Sequence, residues 1–250
     1  MIGVSNNWPN NPAWELSQFV SWRVVCISRG VRPCGSCATV LKRRASSSST
    51  KTAEAPASGY ESRARSHRAA CRLELIVIRA IEERSDVILV AQSLAGFTAP
   101  LVCARTPMRM VVFVNAMIPK PSETAGAWWG ATGAAEAREQ AAARRGYATE
   151  FDVGTYFLHD VPQDVLRASP EQPREEAEAV FGEPCGFESW PDIPIHVLAG
   201  RDDRFFPIEF QRRLARERLG KEVEEIPGGH LVALSNAEGL TERLVAYEKG

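Results

Sequence analysis

The chain has 250 residues, 44% of them apolar and 24% charged, with 30 basic against 31 acidic side chains. That length allows one large α/β domain with a substantial core, and a net charge of −1 with a pI near 6.5 excludes the basic surplus of most nucleic-acid binders. No run of about 18 apolar residues is present, so no membrane span is expected.

Met1 to Glu15 has neither a basic n-region nor an apolar h-region, so no secretory signal is expected. Six cysteines over this length do not make a disulfide scaffold, and a reducing, cytoplasmic setting is the expectation. The averages conceal a division. Residues 1–72 hold eleven Lys/Arg and three Glu, whereas the remainder holds 19 basic and 28 acidic residues, and the first aspartate is Asp86. Val24-Val25-Cys26-Ile27 is one short apolar run, but Lys42-Arg43-Arg44-Ala45 and the following Ser46-Ser47-Ser48-Ser49-Thr50 cannot be a core strand. We therefore separate an atypical basic, Ser/Arg-rich segment, residues 1–80, from an α/β core, residues 81–250.

Three readings of the basic segment stand side by side: disorder, a transit-type presequence, or out-of-frame translation. If Ser46–Ser49 are TCG codons followed by ACG AAG ACG GCG, the frame from the third base spells Val-Val-Val-Asp-Glu-Asp-Gly. That is a buried strand with an acidic turn. Cys34-Gly35-Ser36-Cys37 has the spacing of half a zinc site or a redox pair, but no second such pair accompanies it, and no metal role is assigned. The basic run 42–72 lacks interleaved aromatics apart from Tyr60, so it is read as solvated, and His67 within it receives no role.

From Asp86 the pattern is orderly. Val87-Ile88-Leu89-Val90 is a continuous apolar run of the kind a parallel strand needs when both its faces are buried. It enters Ala91-Gln92-Ser93-Leu94-Ala95-Gly96, a turn of small residues, and then a helix from Phe97 to about Arg105. Met110 to Val114 predicts a second strand ending at Asn115, and Ile195 to Ala199 a third closed by Gly200. A helix follows from about Pro207 to Leu219, with proline at its start and Gly220 at its end. Glu222 to Ile226 predicts a short fourth strand, and Glu238 to Tyr247 a final helix. This alternation gives a mostly parallel, doubly wound sheet with helices on both faces. Between the second and third of these strands lies an insertion, about 119–192, rich in aromatics and holding helical pieces near 134–145 and 170–180. It is either a cap over a pocket or a second helical layer with its own core; its position at the strand ends favours the cap.

Ser93 stands between a buried strand and a helix with Ala91 and Ala95 two residues away on either side. So tight a turn strains its central residue, which lifts the hydroxyl out, and the following amides face the space beside it. Gly200-Arg201-Asp202-Asp203 places two acids directly after a strand, and Pro227-Gly228-Gly229-His230-Leu231 places a histidine in a glycine-rich loop after the next. Serine, acid and histidine thus all fall at strand C-termini, where an open parallel sheet presents its site. His230 can take the Ser93 proton while a carboxylate fixes the imidazole tautomer. His159 either faces the pocket from the cap or pairs with Asp160, and His196, inside a strand, is taken as structural.

With Val87–Gly96, Gly200–Pro207 and Pro227–Leu231, the chain from Asp86 onward resembles the α/β-hydrolase superfamily. Asn115-Ala116-Met117-Ile118-Pro119 and the modest cap resemble its small esterase and hydroxynitrile-lyase-like branch. The resemblance implies Ser93 as nucleophile, His230 as base and, by its position in the acid loop, Asp203 rather than Asp202 as the orienting acid. It also implies Leu94 as one oxyanion amide, and no metal or organic cofactor. The glycine loop that supplies the second oxyanion amide in such proteins has no counterpart in residues 1–72. The implied activity is hydrolysis of a small carboxylic ester through an acyl-enzyme. The implied partner is a small molecule, an apolar or aromatic ester given the aromatic insertion, with no nucleic acid or membrane partner and with homodimerisation open. Two alternatives are a cofactor-free lyase using the same triad, and a non-catalytic hydrolase-like chain.

Overall fold

The four apolar runs downstream of Asp86 are strands in a computed structural model, which describes residues 24–28, 77, 78, 81, 86–168 and 179–249. They are β2 (Val87–Gln92), β3 (Met110–Val114), β4 (Ile195–Gly200) and β5 (Val223–Ile226), preceded by β1 (Val24–Ser28). The sheet runs β1-β2-β3-β4-β5, with β1 antiparallel to β2 and every other pairing parallel. The apolar run at Val24 is therefore a strand, in register from Val24 opposite Ala91 to Ser28 opposite Val87. The other expectations for residues 1–80, including Cys34, Cys37, the serine run and His67, lie outside the described residues.

Continuous apolar runs make sense because both faces of the sheet are packed. Val87, Leu89 and Ala91 join Val111, Phe113 and Val197 in one cluster, while Ile88, Val90, Val112, Val114 and Leu198 join the other. The first face is covered by Phe210 and Leu214 of the helix Ile208–Leu219 and by aromatics of the insertion. The second is covered by Leu244 and Tyr247 of the final helix, Ala237–Lys249. This two-sided arrangement is the doubly wound sheet the alternation predicted. The helix expected from Phe97 begins differently: a 3-10 turn, Ser93–Phe97, precedes a short α-helix, Ala99–Cys103. Pro100 sits in the first turn of that helix, where its missing N–H has no carbonyl to bond.

The insertion contains the helices Ala125–Thr132, Ala134–Arg145, Val153–Tyr156, Gln163–Ala168 and Ala179–Gly182. Thr124 caps the first by accepting from the Ala127 N–H at 3.0 Å, and Gly133, at φ +64, turns the chain left-handed between the first two. Trp128 is fully buried and donates its indole N–H to the Ile118 carbonyl at 3.1 Å. Arg218 of the helix Ile208–Leu219 grips Glu123 and also donates to Ile118 O at 2.8 Å, which fixes the start of the insertion to the core. Of the helix expected over 170–180, residues 169–178 lie outside the described residues. His196 proves half-exposed rather than enclosed, because its side chain leaves the packed sheet toward Glu224 (3.5 Å) and stacks on Tyr247 with ring centroids 4.1 Å apart.

Candidate active site

β2 ends on Gln92, and Ser93 follows with φ +54, in the left-handed region that a non-glycine residue enters only under constraint. The constraint is visible. The Ser93 carbonyl accepts from the Met117 N–H at 3.0 Å, which ties the turn to the loop after β3. Ala91 and Ala95, two residues away on either side, are both fully buried. Three residues on, a Cβ at Gly96 would stand 1.7 Å from the Met117 carbonyl oxygen, so only glycine permits this approach.

The acid and the histidine reach Ser93 from the loops that follow β4 and β5. His230 Nε2 lies 3.0 Å from Ser93 Oγ, and His230 Nδ1 lies 2.9 Å from Asp203 Oδ2. The other Asp203 oxygen accepts from the Phe205 and Phe206 N–H groups at 2.8 and 2.9 Å, and Gln211 donates to Oδ2 at 3.3 Å. Three donors on one carboxyl suit a carboxylate, so Nδ1, 2.9 Å away, is the ring nitrogen that donates to it and Nε2 is left to accept from serine. Asp203 and His230 are fully buried, and Ser93 is 7% exposed. Phe157, Phe205 and Phe206 surround the imidazole at centroid distances of 4.9, 5.1 and 5.2 Å, all steeply inclined to it. Apolar walls of this kind exclude water and strengthen the polar contacts they enclose. Asp202 points elsewhere and accepts from the Gly228 N–H at 3.2 Å. Leu94 follows Ser93 in the 3-10 turn, so its amide is the next one along the chain from the Ser93 side chain.

Behind these three residues lies a layer of buried amides that the sequence reading passed over. Asn115, at φ +46 directly after β3, donates to Gly229 O (3.0 Å) and His230 O (2.9 Å) and accepts from Gly200 N (2.7 Å). Gln92 adds a second donor to His230 O at 2.9 Å, and Gln211 donates to Phe206 O at 2.7 Å as well as to Asp203. The histidine and acid loops are thus bonded to one another through Asn115. A polar residue closing an apolar strand was the one sequence signal for it. A Cβ at Gly200 would meet the carbonyl oxygens of Gly228 and Gly229 at 2.4 and 2.5 Å, so the two loops also touch backbone to backbone.

Next to the acid and histidine loops, a cavity of about 370 Å³ is lined by Arg145, Tyr147, His159, Asp160, Asp202 and Arg204. His159 belongs to this wall, with Nδ1 4.0 Å from Asp160 Oδ1, and burial pushes its pKa below the usual histidine value. Among the described residues no group of three His, Cys, Asp or Glu is placed to hold a metal ion, and no helix is long and apolar enough to cross a membrane.

The family model that matches this chain, described as "Alpha/beta hydrolase family", covers residues 5–243 and so also runs through much of the basic first segment. No curated protein matches the chain. Solved structures are similar at low identity. Polyneuridine aldehyde esterase has a TM-score of 0.53 at 14% identity, covering 70% of this chain and 77% of its own. A pyrethroid hydrolase from Sphingobium faniae gives 0.52 at 19%, covering 70% and 75%. An extracellular α/β-hydrolase from a Paenibacillus species gives 0.54 at 16%, covering 72% and 79%. At these identities the likeness is one of fold.

Proposed function

The chain belongs to the α/β hydrolase family, and from that premise we propose that it is a serine hydrolase cleaving a small carboxylic ester through an acyl-enzyme. The observation that carries this reading is the unbroken path from Ser93 Oγ to His230 Nε2 (3.0 Å) and from His230 Nδ1 to Asp203 Oδ2 (2.9 Å). In the first step Ser93 Oγ attacks the ester carbonyl while its proton passes to Nε2. Asp203 stabilises the imidazolium so formed and keeps the ring in place. The tetrahedral oxyanion is received by the Leu94 amide, with a further donor needed to complete the hole. His230 then returns the proton to the departing alkoxide. A water, deprotonated by the same nitrogen, releases the acid and regenerates Ser93.

The aromatic residues about the triad, with Phe157, Phe205 and Phe206 against His230, support an apolar or aromatic ester as substrate. Among the solved structures that share the fold, one is named an esterase and another a pyrethroid hydrolase, which agrees with this reading. The test is turnover of chromogenic short-chain and aryl esters by the protein and by Ser93→Ala. We expect hydrolysis by the former and loss of at least about three orders of magnitude in kcat in the latter, with unchanged folding. Equal activity in both would refute the assignment, and mandelonitrile cleavage without ester hydrolysis would replace it with the lyase reading.

A further inference from the structure

The catalytic histidine loop is held from two sides, and one of them is the insertion. On the sheet side, Asn115 donates to the carbonyls of Gly229 and His230. On the other side, the Asp160 carboxylate accepts from the Gly229 N–H. Asp160 follows the short helix Val153–Tyr156 in the segment that also carries Phe157, whose ring packs against the His230 imidazole at 4.9 Å. The fit is close. A Cβ at Gly229 would stand 2.7 Å from Asp160 Oδ1 and 2.7 Å from His159 Cε1, so the loop and this segment touch with no space for a side chain.

From this juxtaposition we infer that Asp160 is a positioning residue for catalysis, holding His230 in line with Ser93 through the Gly229 peptide. The inference rests on the triad reading above and adds to it a contribution from the insertion. Gly229 is the lever. Its N–H, in the peptide from Gly228, is bonded to the insertion, and its C=O, in the peptide to His230, is bonded to the core, so the peptide planes on both sides of its Cα are held. A carboxylate accepting a backbone N–H makes a charge-assisted bond, stronger than a neutral one. Losing it frees the Gly228–Gly229 peptide to turn about the glycine, which no side chain restrains, and His230, the next residue, shifts from its 3.0 Å contact with Ser93. A displacement of about 1 Å at a reacting group is enough for a large loss of rate.

The experiment compares Asp160→Ala and Asp160→Asn in the full chain. Asparagine keeps an oxygen that can accept from Gly229 and places its NH₂ beside His159, so it preserves the bond without the charge. We expect Asp160→Ala to lower kcat for an aryl ester by tenfold or more with KM within about twofold, and Asp160→Asn to recover to within about threefold of the parent. In parallel, nitrogen-15 NMR of the histidine rings should show the His230 signals displaced in Asp160→Ala and retained in Asp160→Asn. Equal turnover by Asp160→Ala and the parent would overturn the inference, as would equal impairment of the two variants. If the parent cleaves no ester, the triad reading fails separately. The NMR comparison still decides the positioning role, since unchanged His230 signals in Asp160→Ala would overturn it.

Discussion

Replacing Asn115 by alanine should cost more stability than any other single amide-to-alanine change near the site. Asn115 is fully buried and its side chain serves Gly229 O, His230 O and Gly200 N. His230 O keeps Gln92 as a donor after the substitution, but Gly229 O and Gly200 N lose the side chain that serves them. A buried backbone group left without a partner costs about 1–3 kcal/mol, so two cost about 2–6 kcal/mol. Alanine at φ +46 adds roughly 1 kcal/mol, because asparagine tolerates the left-handed region better. The sum, about 3–7 kcal/mol, is a large fraction of the 5–15 kcal/mol that about spans typical domain stabilities. Urea unfolding followed by tryptophan fluorescence measures it directly. Ester turnover should fall as well, since both loops bonded to Asn115 carry residues of the proposed triad. A loss under about 1 kcal/mol with unchanged turnover would refute the view that this side chain joins the two loops.

Three further outcomes are expected. Gly96→Ala should force the Ser93 turn and the Met117 backbone apart, destabilising the protein by about 1–3 kcal/mol or more and slowing ester hydrolysis; unfolding and kinetics on the same preparation check it. Cys103, whose pKa burial pushes from 9.0 up to about 12, should remain a thiol in the folded protein and resist iodoacetamide at pH 8, as read by peptide mass spectrometry. Because the unfolded thiol ionises first, Cys103 should also make stability fall as pH rises from about 9 toward 12; rapid native alkylation at pH 8 would contradict both statements. Finally, we propose that the coding DNA for Ser46 to Ala53 spells an apolar strand with an acidic turn in its third frame; sequencing that DNA decides it, and a third frame without such a strand would refute it.

Much of the architecture was legible because both faces of the sheet are buried. β2, β3 and β4 needed no alternation to be recognised, only short apolar runs ended by Gln92, Asn115 and Gly200. The three residues of the proposed triad were legible because each follows a strand in chain order. What lay beneath was not. Asn115, Gln92, Gln211 and Asp160 gain their roles from carbonyls and amides more than 68 residues away or from a neighbouring helix turn, and no local pattern encodes such partners. The 3-10 turn after Ser93 was also hidden, since a helical stretch of small residues looks alike in either winding. Val24–Ser28 read as an isolated run because its partner, β2, is distant in sequence.

The central claim is that Ser93 is the nucleophile, and covalent labelling tests it most directly. The folded protein is treated briefly with a fluorophosphonate, digested, and the modified residue located by mass spectrometry. The account predicts a single label on Ser93, lost on prior unfolding and sharply slowed in His230→Ala. Ester hydrolysis by a protein that takes no label at Ser93, or labelling that survives unfolding, would contradict it.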